Sequence, residues 1–247
     1  MGAMEQEIGL LRREIQNPSH EELGMRQYTS GQLFGREVVV VFSRWGKVAS
    51  ASTVTTLIER YGVDLVLFTG VAGAASPELK VGDVVIATET VQHDMDARPL
   101  PGFSRFDVPL IDISRFPVEP RLIKLAKNSA ATFIDNHMLS VTPQALLERF
   151  NISQPSVVEG LIATGDQFIA DSNKVDGLSE ALKGLKCLEM EGGAVAQVCY
   201  EHKVPMVLLR VISDTANQDA TVDFPAFVQE VACPITCGIV EELIKQV

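Results

Sequence analysis

The chain has 247 residues and 46% hydrophobic content, enough to bury a large core in a single domain spanning residues 1–247. Its formal net charge of −11 excludes a nucleic-acid groove, because such a groove needs a basic stripe. No apolar stretch is long enough to span a bilayer and the N-terminus lacks a signal-peptide pattern, so we expect a cytoplasmic protein.

Apolar, β-branched runs alternate with helical periodicity along the chain, which predicts an α/β fold with a parallel or mixed sheet between helices. The first predicted elements are a helix over residues 5–15, strands over 24–33 and 37–43, a helix over 47–61, and strands over 65–69 and 83–89. Residues 99–120 are rich in proline and aromatic side chains and are predicted to be a long loop.

The second half of the chain continues the same alternation. Its predicted helices cover residues 121–132, 172–182, 191–202 and 223–246, and its predicted strands cover residues 156–163, 186–190 and 206–213. Neither an internal repeat nor a low-complexity linker interrupts the pattern. The predicted fold class is therefore a single three-layer α/β/α domain with a central mixed sheet.

Three carboxylates fall at the ends of predicted strands. Glu189 and Glu191 flank Met190 where an apolar run meets a Gly-Gly-Ala turn, and Asp214 ends the last predicted strand. A single Glu at such a place is explained as a first-turn anion favoured by the helix dipole. Three acids grouped beside glycine indicate chemistry instead.

The same residues carry a resemblance to a known family. The runs LEMEGGAVAQVCY and VPMVLLRVISDTAN, from Leu188 to Asn217, resemble the signature of the nucleoside phosphorylase and nucleosidase superfamily, and within it the 5′-methylthioadenosine/S-adenosylhomocysteine nucleosidases. Five further motifs follow the family order: GAMEQEI, SRWGKVAS, FTGVAGAAS, VGDVVIA and TGDQFI. The match is weak only across about residues 99–155.

The resemblance implies a nucleoside phosphorylase-like fold and hydrolysis of the N-glycosidic bond, releasing adenine and a 5-thio-substituted ribose. It implies that Asp214 protonates adenine N7, Glu191 stabilises the cationic ribose through its hydroxyls, and Glu7 activates the water near Arg210. An Asp that holds a proton near neutral pH must be desolvated or share its site with other carboxylates, and the apolar run before Asp214 fits that demand. Arg210 is equally explained as the partner of a neighbouring acid.

The resemblance also implies a set of substrate-binding residues. Phe168 stacks on adenine, the backbone of Ile169 meets the Watson–Crick edge, and Met190 lies against the sugar. We expect an apolar 5′ subsite built from Met4, Trp45 and Phe224, together with Phe103 or Phe106 from a partner subunit. The remaining lining positions are Glu189, Ala72, Gly73 and Ser213.

Three departures from the family pattern bear on activity. Met1 directly precedes Gly2, where the family usually has a short apolar strand, so either that strand is missing or the motif is entered differently. Val71 takes a position that often carries a serine hydroxyl able to orient the water. Arg44 and Trp45 replace the usual pair in the second motif, adding a cation and a ring able to cap the pocket.

The remaining features indicate no metal and no organic cofactor. The segment QHDMDARP, residues 92–99, contains a His-Asp-x-Asp pattern, but acids after a strand more often make loop contacts than bind a metal. The four cysteines lie among apolar neighbours and are expected to be core thiols. The loop over residues 99–120 crosses a two-fold interface in the resembled family, so the resemblance implies a homodimer with shared active sites acting on a small-molecule nucleoside.

Three functions remain open on the sequence alone. The first is hydrolysis of 5′-methylthioadenosine and S-adenosylhomocysteine. The second is another purine nucleosidase, or a phosphate-dependent phosphorylase of the same fold, although its further phosphate-binding arginines are not found near the N-terminal and fourth motifs. The third is a nucleoside-binding protein without activity, which is expected to lack an essential carboxylate, whereas all three acids are present.

Overall fold

The structure is a computed structural model and describes residues 1–214 and 223–247, without the side chain of Glu7. Its helices are α1 (Glu5–Arg13), α2 (Lys47–Tyr61), α3 (Pro120–Asn136), α4 (Met138–Val141), α5 (Gln144–Arg149), α6 (Ser172–Ala181), α7 (Gly192–His202), α8 (Phe224–Phe227) and α9 (Cys233–Ile244), with a π-helical turn at Val228–Ala232. Its strands are β1 (Gln16–Leu23), β2 (Arg26–Leu33), β3 (Arg36–Val41), β4 (Val66–Phe68), β5 (Val71–Ala74), β6 (Val84–Gln92), β7 (Arg115–Pro117), β8 (Val157–Thr164), β9 (Leu185–Glu189) and β10 (Met206–Asp214).

The central sheet is mixed, as the sequence predicts. Its strand order is β4-β10-β5-β9-β8-β6-β7. Strand β10 runs parallel to β4 and β5 along one edge and antiparallel to β6 along the other. The extra pairing between β10 and β6 closes β6, β8, β9, β5 and β10 into a ring, so Asp214 at the end of β10 lies at one rim of this ring.

Strand β10 lies at the centre of the core because it is apolar along its length. Its residues from Met206 to Ser213 are all buried, and only Asp214 at its end is partly exposed. Strands buried on both faces read as continuous apolar runs rather than alternating ones. A buried strand that ends in an acid carries that acid to the boundary of the core.

Helix α7 begins with two glycines because a side chain there would collide with the sheet. A Cβ at Gly192 would lie 2.6 Å from Leu208 Cδ2, and a Cβ at Gly193 would lie 3.0 Å from Thr164 Oγ1. The helix packs against α2, while α3 packs against α9. The start of α7 can therefore approach the carboxyl ends of β8 and β9 closely.

Five short or polar elements differ from the sequence prediction. Strand β1 has an exposed, polar pattern and belongs to a separate antiparallel sheet of order β1-β2-β3. Strand β5 has four residues, and β7 lies within residues 99–120, which were predicted as a loop; the prediction was wrong there because β7 forms by pairing with β6. The helices α4 and α5 were not predicted.

The helix predicted over residues 223–246 is interrupted. The structure divides it into α8, the π-helical turn and α9. A π-turn adds a residue to a helical turn and leaves the hydrophobic periodicity on either side intact, so periodicity alone does not reveal it.

The N-terminal residues lie between the two sheets. Gly2 forms isolated bridges with Phe42 and with Thr69, both in parallel sense. The Ser43 N–H donates to the Gly2 carbonyl at 2.8 Å, and the Thr69 N–H donates to the Met1 carbonyl at 3.0 Å. The main chain of Met1 and Gly2 therefore lies between the ends of β3 and β4, and α1 follows directly.

Candidate active site

A cleft at the rim of the strand ring collects six of the predicted site residues. They come from β5, from the loop after β8, from the end of β9 and from the end of β10, and are Gly73, Phe168, Ile169, Glu189, Met190 and Asp214. Gln167 and Leu188 also line this cleft and were not predicted. Gln167 lies inside the TGDQFI motif and Leu188 begins the LEMEGG motif, so these motifs were the sequence signal for both residues.

Asp214 lies against the backbone of β5. Its Oδ1 lies 2.9 Å from the place that a Cβ on Gly73 would occupy, so only glycine at residue 73 lets the carboxyl sit there. The Ser213 hydroxyl lies 2.9 Å from Asp214 Oδ2 and 3.3 Å from the Ala72 carbonyl. The Ser213 hydroxyl thus lies between this carboxyl and the main chain of β5.

Glu189 serves as the anion at the start of α7. Both of its carboxylate oxygens accept from the Gly192 N–H, at 2.9 and 2.8 Å, and Oε2 also accepts from the Glu191 N–H at 3.2 Å. The Thr164 hydroxyl donates to Oε1 and itself accepts from the Gly193 N–H at 2.6 Å. The helix-dipole explanation therefore applies to Glu189.

Arg210 is a buried partner of the same carboxylate. Its Nη2 donates to Glu189 Oε2 at 2.6 Å, and the two side chains are 1% and 2% exposed. The guanidinium also donates to the Leu209 carbonyl at 3.2 Å and lies 4.3 Å from the centre of the Phe68 ring. The ion pair that the sequence left open for Arg210 is present.

Glu191 contacts the loop that contains the second motif. Its Oε1 accepts from the Gly46 N–H at 2.9 Å, and the Ser50 hydroxyl donates to its main-chain carbonyl at 3.4 Å. Because the N–H groups of Gly192 and Gly193 bond to Glu189 and Thr164, Glu191 does not serve as the anion of α7. It is 5% exposed.

Phe168 and Phe106, two of the aromatic residues predicted for the site, differ sharply in solvent exposure. Phe168 lines the cleft and is 72% exposed, whereas Ile169 beside it is buried at 8%. Phe106 is also 8% exposed and packs in the same apolar cluster as Ile169. Phe106 is therefore occupied within its own chain, whereas Phe103 is half-buried.

The residues predicted to line the 5′ subsite differ in solvent exposure. Trp45 is 65% exposed, and the main chain next to it contacts Glu191 through Gly46. Met4 and Phe224 are partly buried and pack against the main core. Glu7 belongs to α1, and its side chain lies outside the part of the chain that is described.

Two of the residues that depart from the family pattern, Arg44 and Val71, can be located in the structure. Arg44 has φ +68°, in the left-handed region that favours glycine, so a side chain is held there at a conformational cost. Val71 pairs with Val211 in the parallel ladder between β5 and β10. Neither position brings a hydroxyl to the cleft.

A polar network beside the cleft was not predicted. Lys47 Nζ donates to Asp94 Oδ1 at 2.7 Å and to Gln92 Oε1 at 3.2 Å. Asp166 Oδ1 accepts from the Lys47 N–H at 2.8 Å, and Asp94 Oδ2 accepts from the Asp166 N–H at 3.0 Å. Lys47 lies inside the SRWGKVAS motif and Asp166 inside the TGDQFI motif, so these motifs were the sequence signal for the two residues.

Asp94 belongs to the segment that resembled a metal cluster, and its partners are a cation and a main-chain N–H. Burial raises its pKa, but the Lys47 ammonium and the Asp166 N–H together hold the pKa of Asp94 below its ordinary value. The other acid of the pattern, Asp96, pairs with Arg98. Burial lowers the pKa of the adjacent His93 imidazole, which favours its neutral form.

The four cysteines, all within the described residues, form no disulfide. Cys187, Cys199 and Cys233 are buried, and burial raises the pKa of the Cys199 thiol to about 12. Burial likewise raises the pKa of Cys237 to about 11. Thiols with such pKa values are poor nucleophiles, so these cysteines serve the core as the sequence predicts.

No helix among residues 1–214 and 223–247 is long and apolar enough to cross a membrane.

The family model described as the Phosphorylase superfamily matches residues 1–245. A 5′-methylthioadenosine/S-adenosylhomocysteine nucleosidase of Anoxybacillus flavithermus is 38% identical over 232 residues, which are 94% of this chain and 91% of that protein. The crystal structure of such a nucleosidase from Neisseria meningitidis in complex with methylthio-immucillin-A has a TM-score of 0.86 at 34% identity, covering 100% of this chain and 97% of that one. Futalosine hydrolase of Helicobacter pylori has a TM-score of 0.82 at 30% identity, covering 100% of this chain and 96% of that one.

Proposed function

We propose that this chain, which belongs to the Phosphorylase superfamily and within it to the 5′-methylthioadenosine/S-adenosylhomocysteine nucleosidases, hydrolyses the N-glycosidic bond of those two nucleosides. The observation that carries the proposal is the cleft in which Asp214 lies together with Met190 and the Phe168–Ile169 segment. An acid, a sugar-facing side chain and a stacking ring within one cleft match the needs of base departure from a nucleoside.

Asp214 is our proposed general acid. Adenine is a poor leaving anion, so a proton delivered to N7 as the bond to C1′ stretches removes the developing negative charge. The carboxyl is held by contacts from Ser213 and by its fit against Gly73, which support a fixed direction of proton delivery. Phe168 and Ile169 would hold the base in front of it.

Glu191 is our proposed partner for the sugar. As adenine leaves, the ribose becomes an oxocarbenium-like cation, and a carboxylate that accepts hydrogen bonds from its hydroxyls stabilises that charge. The contact with the Gly46 N–H supports this role because it fixes one oxygen of Glu191 beside the loop of the second motif. Met190 would lie against the sugar face.

A water completes the reaction in our proposal by adding its oxygen to C1′ and losing a proton to Glu7. The proposal for Glu7 rests on its motif position. Arg210 and Glu189 act indirectly in this scheme, because their ion pair and the bonds of Glu189 to α7 hold Glu191 in place. Met4, Trp45 and Phe224 are proposed to line an apolar 5′ subsite.

Hydrolysis without phosphate is the first expected result. Adenine release from 5′-methylthioadenosine should proceed at the same rate with and without added phosphate, and the sugar product should be free 5-methylthioribose. Product analysis in ¹⁸O-labelled water checks this, because the label should appear on C1 of the sugar. A sugar 1-phosphate as product would show a phosphorylase.

The same assay, run on a nucleoside panel, tests the substrate assignment. S-adenosylhomocysteine and 5′-methylthioadenosine should be cleaved with higher kcat/KM than adenosine, whose 5′ hydroxyl uses an apolar subsite poorly. Futalosine belongs in the panel because its hydrolase in Helicobacter pylori shares this fold. Preferential cleavage of futalosine would move the assignment to that activity.

We propose further that the protein is a two-fold homodimer in which Phe103 enters the partner's pocket. The burial of Phe106 within its own chain supports Phe103 as the exchanged ring. We expect sedimentation to show a dimer and Phe103→Ser to lower kcat/KM for 5′-methylthioadenosine.

Complementation distinguishes a shared site from a separate one. When inactive Asp214→Asn subunits and Phe103→Ser subunits exchange at equal concentration, half of the dimers are mixed, and each has one complete site if the rings cross. Activity should then recover to about a quarter of the wild-type value by that counting. No recovery after demonstrated subunit exchange would show that Phe103 serves its own subunit.

We also propose a cytoplasmic location. Four cysteines that form no disulfide, three of them buried and Cys237 partly buried, support it, since disulfides are rare in reducing compartments.

A further inference from the structure

Three loops from distant parts of the chain meet at the Asp94 carboxylate beside the cleft. Its Oδ1 accepts from Lys47 Nζ at 2.7 Å, and its Oδ2 accepts from the Asp166 N–H at 3.0 Å. The Asp94 and Lys47 side chains are each 19% exposed, so this ion pair is largely shielded from water. One carboxylate thus connects the loop after β6, the start of α2 and the loop after β8.

The network continues to both sides of the proposed substrate. Asp166 Oδ1 accepts from the Lys47 N–H at 2.8 Å, and the neighbouring Gly46 N–H donates to Glu191 Oε1 at 2.9 Å. A Cβ at Gly46 would lie 2.8 Å from Asp166 Oδ1, so the two loops touch there. Asp166 is also two residues before Phe168.

A second arm reaches helix α7. Lys47 Nζ donates to Gln92 Oε1 at 3.2 Å, and Gln92 Nε2 donates to Gln197 Oε1 at 2.6 Å. Gln197 lies in α7, which begins directly after Glu191. The network therefore reaches Glu191 by two routes, at its carboxylate through the Gly46 N–H and at its main chain through the helix that follows it.

We propose that Asp94 is a positioning residue that, through Lys47 and Asp166, sets the orientation of Glu191 toward the ribose hydroxyls. The inference rests on the proposed function of Glu191. A misplacement of about 1 Å costs up to about 10²-fold in rate when the displaced group acts in the transition state. The effect should therefore fall on the part of catalysis that uses the ribose hydroxyls.

The test compares substrates with and without a 2′ hydroxyl. The ratio of kcat/KM for 5′-methylthioadenosine to kcat/KM for its 2′-deoxy analogue reports how well Glu191 uses that hydroxyl. Asp94→Asn keeps the shape of the side chain and removes its charge, and we expect it to lower kcat/KM for the ribonucleoside about tenfold and the ratio at least about threefold. Lys47→Gln should shift the ratio in the same direction.

Two controls make the result specific. Asp96→Asn changes the same kind of side chain two residues away, where Asp96 pairs with exposed Arg98, and it should leave the ratio unchanged. Glu191→Gln should itself reduce the ratio, and adding Asp94→Asn to it should have little further effect because both changes act on one group. Thermal unfolding of each variant verifies folding.

The outcomes separate the two proposals. A reduced ratio in Asp94→Asn, together with non-additivity in the Glu191→Gln background, supports the positioning role. A reduced ratio in Glu191→Gln with an unchanged ratio in Asp94→Asn overturns the role of Asp94, whatever the result for Lys47→Gln, because Lys47 also bonds to Gln92. An unchanged ratio in Glu191→Gln overturns the proposed role of Glu191 in the reaction.

Discussion

Replacing Asp214 by asparagine is expected to lower kcat for 5′-methylthioadenosine by at least about 10²-fold. Asparagine keeps the size of the side chain and its contact with the Ser213 hydroxyl, but it carries no transferable proton. The dissociation constant of adenine should change little, because the proposed stacking and backbone contacts with the base come from the loop after β8. Steady-state kinetics and calorimetric binding of adenine measure the two quantities.

A substrate with a stable leaving group identifies the lost step. The ribosyl bond of a 4-nitrophenyl riboside breaks without protonation of the leaving group, so Asp214→Asn should affect its hydrolysis far less than that of 5′-methylthioadenosine. Asp176→Asn, on the exposed surface of α6, is the matched control and should keep wild-type kinetics. Near-normal turnover of 5′-methylthioadenosine by Asp214→Asn would move the acid to another residue.

Truncating Glu189 should produce the largest loss of stability. Glu189→Ala removes the buried partner of Arg210 and the acceptor of the first N–H groups of α7. Removing one member of a buried ion pair costs about 3–5 kcal/mol, because the other charge stays in the interior. Urea unfolding with linear extrapolation should therefore show a free energy of unfolding lower by about that amount.

Two further variants show how much of the loss in unfolding free energy comes from the charge of Glu189 and how much from its burial. Glu189→Gln keeps an acceptor oxygen for α7 and should fall between Glu189→Ala and the wild type. Glu78→Ala removes the partner of Lys186 in an exposed pair, with 58% of the Glu78 side chain exposed, and should cost less than about 1 kcal/mol. Equal losses for Glu78→Ala and Glu189→Ala would show that burial does not strengthen the Glu189–Arg210 pair.

The long, buried elements could be predicted from the sequence because their signal is local. The predicted helix over residues 47–61 has the observed bounds of α2, and the apolar run before Asp214 is the buried strand β10. Hydrophobic periodicity depends on neighbours in the chain, so it survives without knowledge of the tertiary fold. Strand β1, with exposed polar residues, has no such signal and exists through its pairing with β2.

The residue types of the proposed site could also be predicted, but which acid makes which structural contact could not. The grouping of Glu189, Glu191 and Asp214 beside glycines indicated chemistry, and the order of the motifs indicated the family. Which glutamate serves as the anion of α7 depends on where Arg210 and Thr164 lie, and these residues are distant from Glu189 in the chain.

The sequence by itself determined the α/β class and the family, and it indicated the acids of the proposed reaction, because apolar periodicity and motif order are local properties of the chain. Only the tertiary structure decided that Glu189 is bound to α7 and Arg210, that Phe106 is occupied in its own core, and that Asp94 connects three loops around the cleft. The physical reason is that hydrogen bonds and ion pairs form between groups brought together by strand register and helix packing, which no short stretch of sequence contains.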